Sequence, residues 1–383
     1  MDFRLTDEQE LLLESIREFV AEHFNEEKIQ QWYKDGSVPD EVLIAFKDVG
    51  FAFLGIPEEY GGVPIDKLTF CLVMEELTRA AGCSTPFELN LLSMYDICEF
   101  GSPEQIALCM DLYSKEGKPP FALAISEPGA GSDNMAMATT VKEIDGKLVL
   151  SGQKTWVSGG LKVPYMLVVA KDDDPSPQNT GMSMWLVPMN LPGIKTAPIH
   201  KIGQKLLPLC DIWFDNVVVE ESMRVGERGQ GFINLMKNFE VERLSLAAWS
   251  VGLAQCALED AAAYAAQRVT FGKPIGNYQL IQQKLTDMEI KVQNMRCMVY
   301  RVAWELDNGM PVQLNSALAK RYVSMTATDV CNEAMQIMGG IGYTEDCRIS
   351  RLWEDARGQQ FAGGTDEIMV HISGKQIIKK YSR

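Results

Sequence analysis

Two short stretches carry residue types able to hold a flat, anionic cofactor. Ser126 to Asp133 reads Ser-Glu-Pro-Gly-Ala-Gly-Ser-Asp, and Gly152 to Trp156 reads Gly-Gln-Lys-Thr-Trp. Two glycines around one alanine let a turn approach a ligand closely and aim its amides at anionic oxygens, and a Trp after a strand can cover one face of a flat ring. Together they suggest a bed for a flavin. Taken singly, the first stretch reads as an ordinary Pro-Gly turn and Trp156 as a core aromatic.

Three more motifs follow in order: Arg268-Val-Thr-Phe-Gly272, Gln336-Ile-Met-Gly-Gly-Ile-Gly-Tyr343 and Gly364-Thr-Asp-Glu367. This ordered set resembles the acyl-CoA dehydrogenase family over essentially the whole chain. Through Ala362-Gly-Gly-Thr-Asp-Glu367 it looks most similar to the anaerobic bacterial branch that includes crotonobetainyl-CoA reductase.

The resemblance implies FAD as cofactor. Leu123 to Ser132, with Ile125, Ser126 and Gly131 among them, would line the isoalloxazine and pyrophosphate. Ser126 and Ser158 would bond ring edge atoms, and Trp156 would stack on the face away from substrate. Ser132 would also touch the substrate's pantetheine arm. Arg268 and Gln279 match the pair that reaches a neighbouring subunit's cofactor, with Phe271 as a further cofactor contact, and a guanidinium fork suits a diphosphate. Gln336, Ile337, Gly339 and Gly340 match the adenosine-end segment, although Gly-Gly-Ile-Gly also reads as a helix C-cap. Thr365 and Glu367 match the last cofactor contacts. An obligate oligomer, a homotetramer built as a dimer of dimers, is implied.

Dehydrogenating an acyl thioester needs a base for the α-proton, a hydride acceptor and polarisation of the thioester carbonyl. Many relatives carry Glu two residues before the Thr of the last motif, but that position is Gly363 here. The family has a second base position, a Glu directly before Arg in the long helix after the β domain, and Glu242-Arg243 matches it. Glu242 is therefore assigned as the base. Ser245 would leave room for substrate on that helical face, and Leu246 would supply an apolar wall. Glu240 lies two positions away, roughly 200 degrees around a helix, and should face solvent or cap a partner. Arg243, Gly363 and Gly364 are expected beside the substrate, with the Gly363 amide at the thioester oxygen. A carboxyl in an apolar pocket should have its pKa raised towards the working pH.

These groups must be positioned by a scaffold with three parts. Thr6-Asp-Glu-Gln9 is a capping box opening a helix in which Leu12, Ile16, Phe19, Val20 and Phe24 recur at helical spacing. Helices are predicted over 39–49, 65–80 and 102–113. From 121 to 219 the period falls to two, with a hairpin over 141–150 turning at Asp145-Gly146 and strands at 166–170, 184–187 and 212–214. The segment 172–180 reads as a mobile surface loop. Helical periodicity returns over 232–268 and 278–308 and holds to the end. The fold class is α+β: an N-terminal α-helical domain (1–118), a middle β-barrel-like domain (119–224) and a C-terminal four-helix bundle (225–383).

Composition narrows the remaining classes. With 383 residues and 46% hydrophobic content, a sizeable core is available. A formal charge of −16 disfavours nucleic acid and anionic membranes, because the long-range field repels a polyphosphate. Nine Cys without a Cys-x-x-Cys pair read as buried thiols of a reducing cytoplasm. Neither a leader pattern nor an apolar run near the roughly 18 residues of a span is seen. Three separated His (His23, His200, His371) leave acid–base work to carboxylates and give no metal site. An electron-transferring flavoprotein is the implied partner, and an acyl-CoA or an enoyl-CoA the implied substrate, since the same residues serve both directions. A crotonobetainyl group, with its trimethylammonium, would call for aromatic or acidic residues near the acyl tail. Acyl depth would depend on side chains such as Trp249 and Met94. A non-catalytic flavin and acyl-CoA binder, an acyl-CoA oxidase and a cofactor-free helical scaffold remain as rivals.

Overall fold

The structure, a computed structural model, describes residues 4–173 and 181–382, the side chains of 88–93 excepted. Most of the loop expected at 172–180 therefore lies outside the described residues.

Six helices open the chain: α1 (Asp7–His23), α2 (Glu26–Asp35), α3 (Asp40–Asp48), α4 (Lys67–Ala81), α5 (Phe87–Phe100) and α6 (Pro103–Glu116). The first starts on the predicted box, with Thr6 Oγ1 accepting from the Gln9 amide and the Gln9 side chain returning to the Thr6 amide. Gly50, Gly82 and Gly117 follow helix ends with positive φ, as helix-stopping residues do. The elements α2 and α5 are additions to the predicted set.

The middle part is one sheet: β1 (Phe121–Ala124), β2 (Thr140–Ile144), β3 (Lys147–Ser158), β4 (Tyr165–Asp172), β5 (Met182–Pro188), β6 (Ile194–Ile199), β7 (Leu209–Val219) and β8 (Arg224–Val225). Its order is β6-β7-β3-β2-β4-β5-β8, with β1 parallel to β4. The hairpin turns at Asp145 (φ 51) and Gly146 (φ 74), where Asp-Gly tolerates the left-handed region. Because β8 pairs with β5, Val225 stands with the sheet, one residue past the expected boundary.

Strands β4 and β5 are buried on both faces, so they read as nearly unbroken apolar runs. Alternation divides their side chains. Met166, Val168, Ala170, Trp185 and Val187 fill the sheet's own core, while Leu167, Val169, Met184 and Leu186 point into the helical core.

The last part holds α7 (Gly231–Gln267), α8 (Gln279–Asp307), α9 (Gln313–Met338), α10 (Arg348–Gly358) and α11 (Asp366–Tyr381). Helices α7, α8 and α9 pack on one another, and α10 and α11 lie on α9. The N-terminal helices join the same hydrophobic core, chiefly where α4 meets α7. There the backbones nearly touch: a β-carbon at Gly252 would lie 2.3 Å from the carbonyl oxygen of Glu75. Asp355, fully buried on α10, gathers the Tyr33 hydroxyl (2.6 Å), the Ser84 amide (2.8 Å) and the Gln204 amide, tying the three parts together. No helix among the described residues is long and apolar enough to cross a membrane. The nine cysteines form no disulfide; Cys297 is exposed and Cys98 half-buried, against the expectation that they are all buried.

Candidate active site

A cavity of about 1040 Å³ opens between the sheet and the two helical parts. The two motif stretches meet on its wall through one buried ion pair. Glu127 accepts from the amides of Ala138 (2.5 Å) and Thr139 (2.9 Å) and from Lys154 Nζ (2.9 Å), and Lys154 also donates to the Ile125 carbonyl at 2.8 Å. The Thr155 amide donates to the Ser126 carbonyl at 2.9 Å. Burial would raise the Glu127 carboxyl, yet these amides and Lys154 hold it below the usual range. Burial likewise brings Lys154 down to about 8, with Glu127 opposing. The residues between the motif positions, rather than the glycines, thus fasten the loop to β3.

Beyond this clamp β3 bulges, its register to β7 shifting between Lys154 and Val157. Trp156 sits in the bulge at φ 59 and is 62% exposed, on the cavity wall. A bulky side chain in that backbone region is strained and exposes a large apolar face, so it is not the core aromatic of the alternative reading. Leu123, Ile125, Ser126, Gly131, Ser132 and Ser158 line the cavity with it.

On the opposite side of the fold's seam, α7 carries Glu242 and Arg243 into the same cavity, where Gly363, Gly364 and Thr365 also stand. Gly363 has φ 60, and a β-carbon there would lie 2.6 Å from Leu246 Cδ1 and 3.9 Å from Glu242 Oε1. Leu246 is therefore an apolar wall beside the carboxylate. Ser245 instead turns its hydroxyl back onto the Val241 carbonyl and is absent from the cavity lining. The Arg243 Nε donates to the Gly363 carbonyl at 3.2 Å and Lys320 Nζ to the Gly364 carbonyl at 2.7 Å, so two cations hold this turn from behind. Burial pulls Lys320 down to about 8, with Asp366 opposing. Glu240 is half-buried rather than solvent-facing, and lies outside the cavity lining.

Burial raises the Glu242 carboxyl to about 7, and the charge of Asp96 adds to this while Arg243 and Lys320 oppose it. Asp96, on α5, was not foreseen. It is 8% exposed, lines the cavity, accepts from Asn238 Nδ2 at 2.6 Å, and is raised to about 6 by burial. Tyr95, Met236 and Phe239 line the same cavity. Trp249 and Met94, expected to set the depth, are buried outside this cavity, and the Trp249 indole donates to Ser84 Oγ.

Eight of the predicted residues lie outside the cavity lining: Arg268, Phe271, Gln279, Gln336, Ile337, Gly339, Gly340 and Glu367. Phe271 is 94% exposed at the tip of a hairpin after α7, while Ile337 is buried in the helical core.

Glu242, with its raised carboxyl, and the strained, exposed Trp156 thus line one cavity between a sheet and two helical parts. Models of the acyl-CoA dehydrogenase N-terminal, middle and C-terminal domains match residues 6–110, 122–217 and 229–378. The chain is 48% identical over 383 residues to "Probable acyl-CoA dehydrogenase YdiO" of Escherichia coli K12, covering all of this chain and 99% of that one. Among solved structures, it matches an acyl-CoA dehydrogenase from Slackia heliotrinireducens at 39% identity and TM-score 0.90, covering 100% and 99% of the two chains. It also matches, at 28% identity and TM-score 0.91 over 99% and 100%, a chain in a structure described as the electron transferring flavoprotein of Acidaminococcus fermentans. The protein belongs to the acyl-CoA dehydrogenase family and is an enzyme of oxidoreductase class.

Proposed function

We propose that the protein is an FAD-dependent acyl-CoA dehydrogenase in which Glu242 removes the α-proton of an acyl-CoA thioester. The observation that carries this is the Glu242 carboxyl, raised to about 7 and facing the Gly363–Gly364 turn inside the cavity that Trp156 lines. The residues fit a flavin: besides the exposed Trp, the cavity is lined by Asn134 and Arg357, whose buried Oδ1 and Nη1 atoms have no hydrogen-bond partner. Trp156 would cover the ring, and Ser126, Ser158 and the Gly131–Ser132 amides would hold its edges and phosphates. A flavin bound there supplies the acceptor for the β-hydrogen as hydride. Glu242 takes the α-hydrogen as a proton at its carboxylate, leaving a carbon–carbon double bond, while the Gly363 amide serves the thioester oxygen.

Run backwards, with a reduced flavin supplying the hydride for the β-carbon of an enoyl-CoA, such as a crotonobetainyl ester, Glu242 donates its proton to the α-carbon. A carboxyl near 7 holds both forms at neutral pH, which supports this second direction. Arg268, Phe271, Gln279, Gln336, Gly339 and Gly340 would serve a neighbouring copy's cofactor in a homotetramer, a role that fits their position outside the cavity of their own chain. An electron-transferring flavoprotein would exchange the electrons, in line with the Acidaminococcus relative, and nine cysteines with no disulfide among them fit a cytoplasmic setting.

The test is turnover of a panel of acyl-CoA esters with an artificial electron acceptor, beside Glu242→Gln. Turnover lost in the variant while bound flavin is retained supports the reading. A colourless wild type, or a variant with full activity, overturns it. Peroxide formed in air by the reduced wild type would make the enzyme an oxidase.

A further inference from the structure

The cavity lining includes a buried carboxylate, Asp96, that handles no transferred hydrogen in the proposed dehydrogenation. Asp96 is 8% exposed, and among the described residues its one hydrogen-bond partner is the Asn238 amide, on Oδ1 at 2.6 Å. Oδ2 has no such partner. Asn238 and Glu242 stand four residues apart on α7 and both line the cavity, so they share a face, about 6 Å apart along the helix axis.

The nucleotide of a CoA ester is large and highly charged and stays at the mouth of such a cavity. The wall that carries the buried Asp96, with the half-buried Phe239 and Met236 also in the lining, is thus taken as the acyl end. A plain alkyl chain pressed against it would strip water from a carboxylate oxygen and return nothing, which costs on the order of a few kcal/mol. A chain bearing an N–H or O–H donor satisfies that oxygen instead.

We propose that Asp96, oriented by Asn238, is a specificity-determining subsite for an acyl group that carries a hydroxyl or protonated amine beyond the β-carbon. The inference rests on Glu242 marking the α-carbon. The helical spacing puts the donor on the γ- or δ-carbon, about one turn of α7 from the base.

The experiment uses thioether analogues of CoA esters, which cannot be dehydrogenated because no carbonyl acidifies the α-hydrogen. Binding to the purified holoenzyme is measured by calorimetry for an alkyl and a terminal hydroxyalkyl thioether of equal length. Wild type should prefer the hydroxyalkyl form about 10-fold or more, as for a hydrogen bond to a charged group. Asp96→Leu should reverse the preference and Asp96→Asn should weaken it, with alkyl binding retained as the sign that both variants are folded. Equal binding of the two thioethers by wild type, or a preference that survives Asp96→Leu, overturns the subsite and leaves the dehydrogenase reading standing. Binding of neither thioether overturns both. A trimethylammonium thioether that binds as tightly as the hydroxyalkyl one shows that charge alone is read, and overturns the donor assignment.

Discussion

Gly363 and Glu242 look into one another: a side chain on the first would begin 3.9 Å from a carboxylate oxygen of the second. The two positions weighed for the base in the sequence therefore converge on one point, and in the proposed mechanism Gly363 leaves that point to Glu242. Leu246 completes the arrangement by filling the volume a β-carbon would need.

Gly363→Glu alone should be destabilised, because the new β-carbon meets Leu246 at 2.6 Å and the backbone keeps φ 60. Overpacking costs about 1–3 kcal/mol and the left-handed backbone about 1 more. The triple variant Glu242→Gly, Gly363→Glu, Leu246→Ala should turn over acyl-CoA at least about 10-fold faster than Glu242→Gly alone. Equal rates would show that the two positions do not reach the same proton.

The pH profile separates the directions. Glu242 must be ionised to act as a base and protonated to act as an acid, and burial with Asp96 sets it at about 7. For the free enzyme, kcat/KM for acyl-CoA oxidation should rise through about pH 7, and that for enoyl-CoA reduction should fall through it. Asp96→Asn removes a negative charge and should move both limbs to lower pH. Limbs that stay put in this variant would remove Asp96 from the base's surroundings.

Stability should carry the same group with the sign of a raised carboxyl. A folded pKa of about 7 against an ordinary 4.5 favours the neutral form, so the contribution is complete below pH 4.5 and lost as pH rises through 7. Flavin-free Glu242→Gln should melt above wild type at pH 8, by at most about 3 kcal/mol, with the gap closing towards pH 4.5. A constant gap would place the effect elsewhere.

Lys154→Met should be worse than Glu127→Gln. The first leaves a buried carboxylate with two amides and no cation, which costs about 3–5 kcal/mol, whereas the second keeps an acceptor for one of the two amides and leaves Lys154, already brought down to about 8 by burial, able to shed its proton. Denaturant melts and flavin retention on gel filtration would rank them, and the reverse order would mean that the clamp is not electrostatic.

Trp156→Gly separates binding from folding. The side chain is 62% exposed and its φ of 59 suits glycine, so the flavin-free protein should be unchanged or more stable by about 1 kcal/mol. Flavin affinity should fall at least about 10-fold, read by fluorescence titration. Unchanged affinity would take Trp156 off the ring.

Much of this was legible where the signal is local. Thr6–Gln9, Ser102-Pro103 and Asp145-Gly146 each contain their own cap or turn chemistry within a few residues, and α1, α6 and the β2–β3 hairpin form there. The elements missed lack such signals. The α5 segment is apolar on nearly every side, so no stripe betrays it, and β6 is a short edge strand holding Pro198. Likewise the motifs gave the cavity's Trp156, Ser126 and Glu242, whereas the groups that fasten them were hidden. Asp96 meets Asn238 across 142 residues and Asp355 meets Tyr33 across 322, distances over which one sequence carries no pattern.

The contact of Gly252 with the Glu75 carbonyl, inside a core shared by both helical parts, has a consequence for motion. With backbones this close, the two helical parts have no hinge between them, and neither swings from the other as the halves of a clamshell do.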